Sequence, residues 1–142
     1  MTEYAVLLAG GEGSRLRPFT HYTSKHLLPV NDKPMIFYPL KNLILLGVKN
    51  VCIVINPKHY VQWEVLLNNL ELNINIELVI QDSAEGIPHA LKLCEKYIRQ
   101  RDHFLALGDN ILIGPEMMKN FSNIVVKKNG AAIIGYPVKN TQ

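Results

Sequence analysis

Two cysteines in 142 residues are too few for a disulfide framework. Cys52 sits inside the apolar run Val51–Ile55 and Cys94 on the apolar side of a helical stretch, so both read as small core residues. A reducing compartment is expected. No stretch of about 18 consecutive apolar residues occurs, which argues against a helical membrane span. The first residues show no charged-then-apolar leader, so the cytoplasm is the expected location. Blocks of like charge are also missing: 15 Lys and Arg and 12 Asp and Glu are scattered, for a net charge of +3. A dedicated nucleic-acid or membrane surface is therefore not expected, and the mild cationic bias suits a small anionic ligand. Repeats and low-complexity linkers are absent.

What is present is enough for one domain spanning residues 1–142. At 48% hydrophobic and 19% charged residues, a chain of this length buries roughly 70% of its unfolded surface. Short apolar runs recur at Ala5–Leu8, Val51–Ile55, Ile76–Ile80, Phe104–Leu107 and Ala131–Ile134. Between them lie positions with helical spacing: Ile36, Leu40, Leu43, Ile44 and Gly47, then Val61, Val65 and Leu66, then Leu91, Cys94 and Ile98. This alternation predicts an α/β fold with a mostly parallel sheet and helices on both faces. The punctuation agrees: Pro34 precedes the first long helix and Gly47 closes it. Asn56-Pro57 follows the second strand, Gly86 and Pro88 open the third helix, and Gly114-Pro115 opens another.

In open parallel sheets ligands bind beyond the carboxyl ends of the strands, which directs attention to the residues after Leu8, Ile80 and Leu107. After Leu8 comes Ala9-Gly10-Gly11-Glu12-Gly13-Ser14-Arg15-Leu16-Arg17. Glycines leave no Cβ to hold a ligand away, so successive backbone N–H groups can converge on an anion while the arginines supply charge. Two familiar phosphate motifs fail. A dinucleotide fingerprint begun at Gly11 meets Leu16 where its third glycine belongs, and the P-loop pattern needs Gly-Lys-Ser/Thr where this chain has Gly13-Ser14-Arg15. Taken alone, the loop could equally be a turn.

The other strand ends carry Gln81-Asp82 with Glu85-Gly86, and Leu107-Gly108-Asp109-Asn110. Between the first and second strands lie Ser24-Lys25-His26-Leu27-Leu28-Pro29-Val30 and Asp32-Lys33-Pro34-Met35. LAGGEGSRLRPFT, SKHLLPVNDKPM, Gln81 with Gly86, and LGDN, in this order along almost the whole chain, resemble the sugar nucleotidyltransferases, most closely the glucose-1-phosphate thymidylyltransferases. The resemblance implies a Rossmann-like three-layer α/β/α fold. It also implies transfer of a nucleotidyl group from dTTP to a sugar 1-phosphate, giving a dTDP-sugar and pyrophosphate by direct in-line attack with Mg²⁺ as cofactor. By that likeness Leu8, Ala9, Gly10, Gly11, Gly13 and Ser14 form the nucleotide loop. Arg15 clamps the triphosphate, Lys25 stands by the reacting phosphates, Gln81 reads the pyrimidine edge, Gly86 lets the base approach, and Asp109 binds the metal and nucleotide.

A homo-oligomer is implied as well. Arg17 and the five histidines, His21, His26, His59, His89 and His103, receive no role, since the histidines lack metal-ligand spacing. Ser14 stands where threonine is usual and Pro88 where a small residue is common. Members of the family run well beyond Gln142, and their later half supplies a second metal-binding aspartate and most sugar contacts. The expectation is thus a nucleotide-binding portion that holds its nucleotide with little turnover. Two alternatives stay open: a UTP-dependent uridylyltransferase, because glutamine pairs equally well with uracil, and a noncatalytic nucleotide-binding module.

Overall fold

The computed structural model describes residues 2–114, 119–121, 123–124 and 130–135. The chain begins with strand β1 (Tyr4–Ala9), followed by short 3₁₀ turns and the small hairpin strands β2 (Pro29–Val30) and β3 (Lys33–Pro34). Helix α1 (Phe37–Leu45), strand β4 (Asn50–Ile55), helix α2 (Tyr60–Asn68) and strand β5 (Asn75–Ile80) come next. Helices α3 (Ile87–Leu93) and α4 (Glu95–Ile98) then lead to strand β6 (His103–Leu107). The main sheet runs β5-β4-β1-β6 with every neighbouring pair parallel. Leu8 pairs with Val54 on one side and Leu107 on the other, so the ends of β1 and β6 lie side by side, with the end of β5 one strand away beyond β4.

Burial explains which strands are continuously apolar. Val6, Leu7, Ile53, Val54 and Ile55, on the two central strands, are fully buried because helices cover both of their faces. One face packs on α1 and α2 through Leu7, Ile53, Leu40, Leu43 and Trp63. The other packs on α3 through Val6, Val54, Ala90 and Cys94. The outer strands alternate instead, and on β6 Leu105 remains 44% exposed. Both cysteines are free and buried, as expected from the sequence. Contact with Cys94, together with burial, pushes the Cys52 thiol up.

Gly47 follows α1 with φ +87° and returns its N–H to the Ile44 carbonyl, a left-handed helix end that glycine adopts without strain. Two expectations need correction. The second helix does not bury Val61 and Val65, which are 69% and 58% exposed; it turns Trp63 into the core, with Tyr60 and Leu66 beside it. The indole has the larger apolar area to remove from water, so it decides which face turns inward. Ala131–Ile134 is not a strand: it joins no ladder, and Ile133 is 98% exposed. A β-branched run becomes a strand by pairing, and this one has no partner among the described residues. The helix start expected at Gly114-Pro115 lies partly outside the described residues.

Candidate functional site

Beyond the carboxyl ends of β1, β5 and β6 lies a cavity of about 270 Å³. Leu8, Gly10, Gly11, Lys25, Gln81, Gly86 and Asp109 all line it, joined by His26, Ala84, Ile87, Ala90 and Leu107. A second cleft of about 390 Å³ lies between α2 and β5, but none of its lining residues is cationic. An anionic ligand therefore matches the first.

The glycines are shaped by what lies behind them. A Cβ on Gly10 would stand 3.0 Å from Gln81 Oε1, so the bare backbone of the loop packs directly on the glutamine side chain. Gly13 has φ +63°, and a Cβ there would come within 2.8 Å of the Thr20 methyl and 3.0 Å of Lys25 Cβ. Its carbonyl accepts a 2.8 Å hydrogen bond from the Thr20 hydroxyl. Gly13 thus seats the loop on the segment that presents Lys25, a close approach that only glycine allows. Ala9 is buried in the core, so only its backbone can serve the site. Ser14 and Arg15 lie on an exposed 3₁₀ turn outside the cavity lining, and Arg15 makes no ion pair among the described residues. Arg17 pairs with Glu12 at 3.7 Å on the surface.

Lys25 Nζ stands 2.5 Å from Asp109 Oδ2, which makes this ion pair the charged feature of the cavity. Its lysine side chain is 23% exposed and its aspartate 40%, so solvent screens it in part. The Lys25 hydrogen bond holds the Asp109 carboxyl below the usual range, keeping it ionised. Among the described residues no three His, Cys, Asp or Glu side chains gather into a metal site. A lone ionised carboxylate at the cavity wall nevertheless fits Mg²⁺, which is commonly held by one or two carboxylates together with substrate phosphates and water.

Gln81 is 8% exposed, with its backbone N–H bound to the Ile55 carbonyl at 2.9 Å. Its Nε2 donates to the Gly86 carbonyl at 3.4 Å and meets His89 Nδ1 at 3.2 Å. Gly86 has φ +91° and begins α3, with Pro88 in the first turn. His89 thus contacts a residue expected to bind nucleotide, although its sequence position carries no ligand spacing to reveal it.

His26 and Gly108 are further residues that sequence reasoning left unassigned. His26 is 3% exposed and shares Nδ1 with the Ser24 hydroxyl at 3.2 Å. Burial, then the Lys25 ammonium, push its imidazole down to about 4, against the pull of Asp109. A Cβ on Gly108 would stand 2.7 Å from His26 Cδ2 and 2.8 Å from the Leu8 carbonyl oxygen. Both residues lie within the quoted stretches SKHLLP and LGDN, yet their contact joins segments far apart in the chain.

Residues 4–142 match the family model described as Nucleotidyl transferase. A glucose-1-phosphate thymidylyltransferase of Neisseria gonorrhoeae is 36% identical over 138 residues, covering 96% of this chain and 48% of the relative. One from Mycobacterium tuberculosis is 38% identical over 139 residues, covering 95% of this chain and 47% of the relative. Among solved structures, one from Bacillus anthracis, described as a glucose-1-phosphate thymidylyltransferase in complex with sucrose, is similar with TM-score 0.76 and 33% identity. The match covers 87% of this chain and 51% of that one. A UDP-glucose pyrophosphorylase complexed with UDP-glucose has TM-score 0.75 at 22% identity over 87% of this chain and 54% of its own, a likeness of fold. The chain spans about half the length of the curated relatives it matches.

Proposed function

The chain belongs to the nucleotidyl transferase family, and from that premise we propose that it holds dTTP with Mg²⁺ for nucleotidyl transfer to a sugar 1-phosphate of the glucose 1-phosphate type. The observation that carries this reading is the convergence of bare glycine backbone, Lys25, Gln81 and Asp109 on one cavity. The thymidylyltransferase names of relatives at 36% and 38% identity support dTTP over UTP. Residues 1–142 act here as the nucleotide-binding portion. A cytoplasmic setting accords with two free, buried cysteines and with the absence of any membrane-length apolar helix among the described residues.

The chemistry asks the chain for no nucleophile of its own. A sugar phosphate oxygen attacks the α-phosphorus while pyrophosphate leaves, so anionic partners must be aligned and their charge neutralised. Gly10, Gly11 and Gly13 let the loop backbone approach the triphosphate. Lys25 supplies a compact cation at the reacting phosphates, and Arg15 folds onto the leaving pyrophosphate from the exposed turn. Gln81 offers an amide donor and acceptor to the pyrimidine edge, beside the bare backbone of Gly86. Asp109 would hold Mg²⁺, which when bound neutralises and orients the phosphates. Asp109 Oδ1 and the remaining Lys25 N–H donors are outside the ion pair and can turn to metal and phosphate.

Replacing Lys25 or Arg15 with alanine should weaken dTTP binding by about 1.5–3 kcal/mol, the scale of a hydrogen bond to a charged group, while the circular-dichroism spectrum is unchanged. Calorimetric titration checks this, and undiminished affinity in both variants overturns the phosphate assignment. Gln81 should favour dTTP and UTP over ATP, because a mismatched edge leaves buried polar groups unpaired at a cost of about 1–3 kcal/mol. Competition by ATP as strong as that by UTP would remove Gln81 from the role of base reader.

A further inference from the structure

We propose that His26 is the positioning residue that sets the spacing of Lys25 and Asp109 at the wall of the cavity. The two charged groups come from separate parts of the chain, Lys25 from the 3₁₀ turn Lys25–Leu27 and Asp109 from just beyond β6. The imidazole of His26 links their neighbours in the chain. It belongs to the residue after Lys25, and it packs on Gly108, the residue before Asp109, where even a methyl group would stand 2.7 Å from the ring.

Each side of this wedge is anchored. On one side the His26 carbonyl accepts from the Ile36 N–H at 2.9 Å, where the chain enters α1. On the other the Gly108 N–H donates to the Leu8 carbonyl at 2.8 Å, extending the contact between β6 and β1. Ring orientation is set by Ser24. The Ser24 Oγ accepts from the His26 backbone N–H at 3.4 Å, so its proton is free to serve Nδ1 at 3.2 Å. A flat ring held this way is a spacer of fixed thickness. A smaller side chain would leave a void into which the Lys25 turn and the end of β6 shift, so that the spacing of the Lys25–Asp109 contact is no longer fixed.

The functional weight of this spacing rests on the reading of Lys25 and Asp109 as phosphate- and metal-facing groups, so the test includes a measurement that needs no nucleotide. Isotopic reductive methylation of the lysines gives each side chain an NMR signal. The Lys25 signal is assigned by its loss in Lys25→Arg, and its ion-paired position is defined by the shift seen in Asp109→Asn. In His26→Ala the Lys25 signal should move to its Asp109→Asn position, and His26→Gln, which refills the space with a neutral hydrogen-bonding group, should restore most of the displacement. A wild-type Lys25 signal in folded His26→Ala overturns the proposal. If that variant does not fold, Ser24→Ala, which releases the ring by removing one hydroxyl, should shift the signal in the same direction, and no shift overturns the proposal.

With dTTP, His26→Ala should reduce the factor by which Mg²⁺ tightens binding by about tenfold, as for residues that orient a metal ligand from behind. An undiminished Mg²⁺ effect also overturns it. Failure of the wild type to bind dTTP would instead remove the functional reading, and the lysine signals would still decide the role of His26.

Discussion

Trp63→Ala should lower the free energy of unfolding by about 3–5 kcal/mol, the range for deleting a large aromatic side chain from a core. Trp63 is fully buried and is the largest side chain in the cluster that joins α1 and α2 to the sheet. Its contribution is packing. The indole Nε1 has no hydrogen-bond partner among the described residues, so the side chain carries a desolvated donor and is retained for its apolar area. Trp63→Phe keeps most of that area and removes the orphan donor, and should therefore cost less than half as much. Urea denaturation followed by circular dichroism checks both variants. Equal losses for alanine and phenylalanine would show that the indole nitrogen has a bonding role that the packing account denies.

The second large effect is an acid loss of stability from His26. The folded imidazole is pushed down to about 4 from an ordinary value of 6.5. Between these values the unfolded chain binds the proton and the folded chain does not, so unfolding is favoured as pH falls through this window. The contribution is complete above about 6.5 and fades toward about 4; the interval corresponds to about 3 kcal/mol. Lys25 strengthens the effect and Asp109 opposes it. Asp109 acts in the same direction on its own account, since its lowered carboxyl contributes stability that is lost as it protonates. His26→Gln removes the imidazole titration and should flatten the stability profile between pH 6.5 and 4 while leaving the Asp109 contribution. Parallel profiles for wild type and variant would show that His26 is not desolvated as its burial indicates.

The parts of the fold legible in sequence are those where one requirement acts alone. Val51–Ile55 reads as a strand because two-sided burial demands an unbroken apolar run, and Gly47 reads as a helix end because the left-handed turn needs no Cβ. Ala131–Ile134 has the same local character as a strand but no described ladder partner, and local preference cannot supply one. The apolar face of α2 is not legible in the sequence because Val61, Val65 and Trp63 compete for the core, and the outcome depends on area and on the surface they meet. At the site, the family resemblance singles out Gly10, Gly11, Lys25, Gln81, Gly86 and Asp109, which line one cavity, and also Ser14 and Arg15, which lie outside its lining. His26 is not singled out, because a buried histidine between Lys25 and Gly108 leaves no periodic trace in a sequence. Its part emerges only when β6 is laid beside β1.

The most direct test of the account is calorimetric titration of the chain with dTTP, with and without Mg²⁺, alongside Asp109→Asn. The account predicts that dTTP binds, that Mg²⁺ tightens binding in the wild type, and that this tightening disappears in Asp109→Asn while metal-free affinity is kept or improved by the freed Lys25. Absence of dTTP binding, or a Mg²⁺ effect that survives in Asp109→Asn, would contradict it.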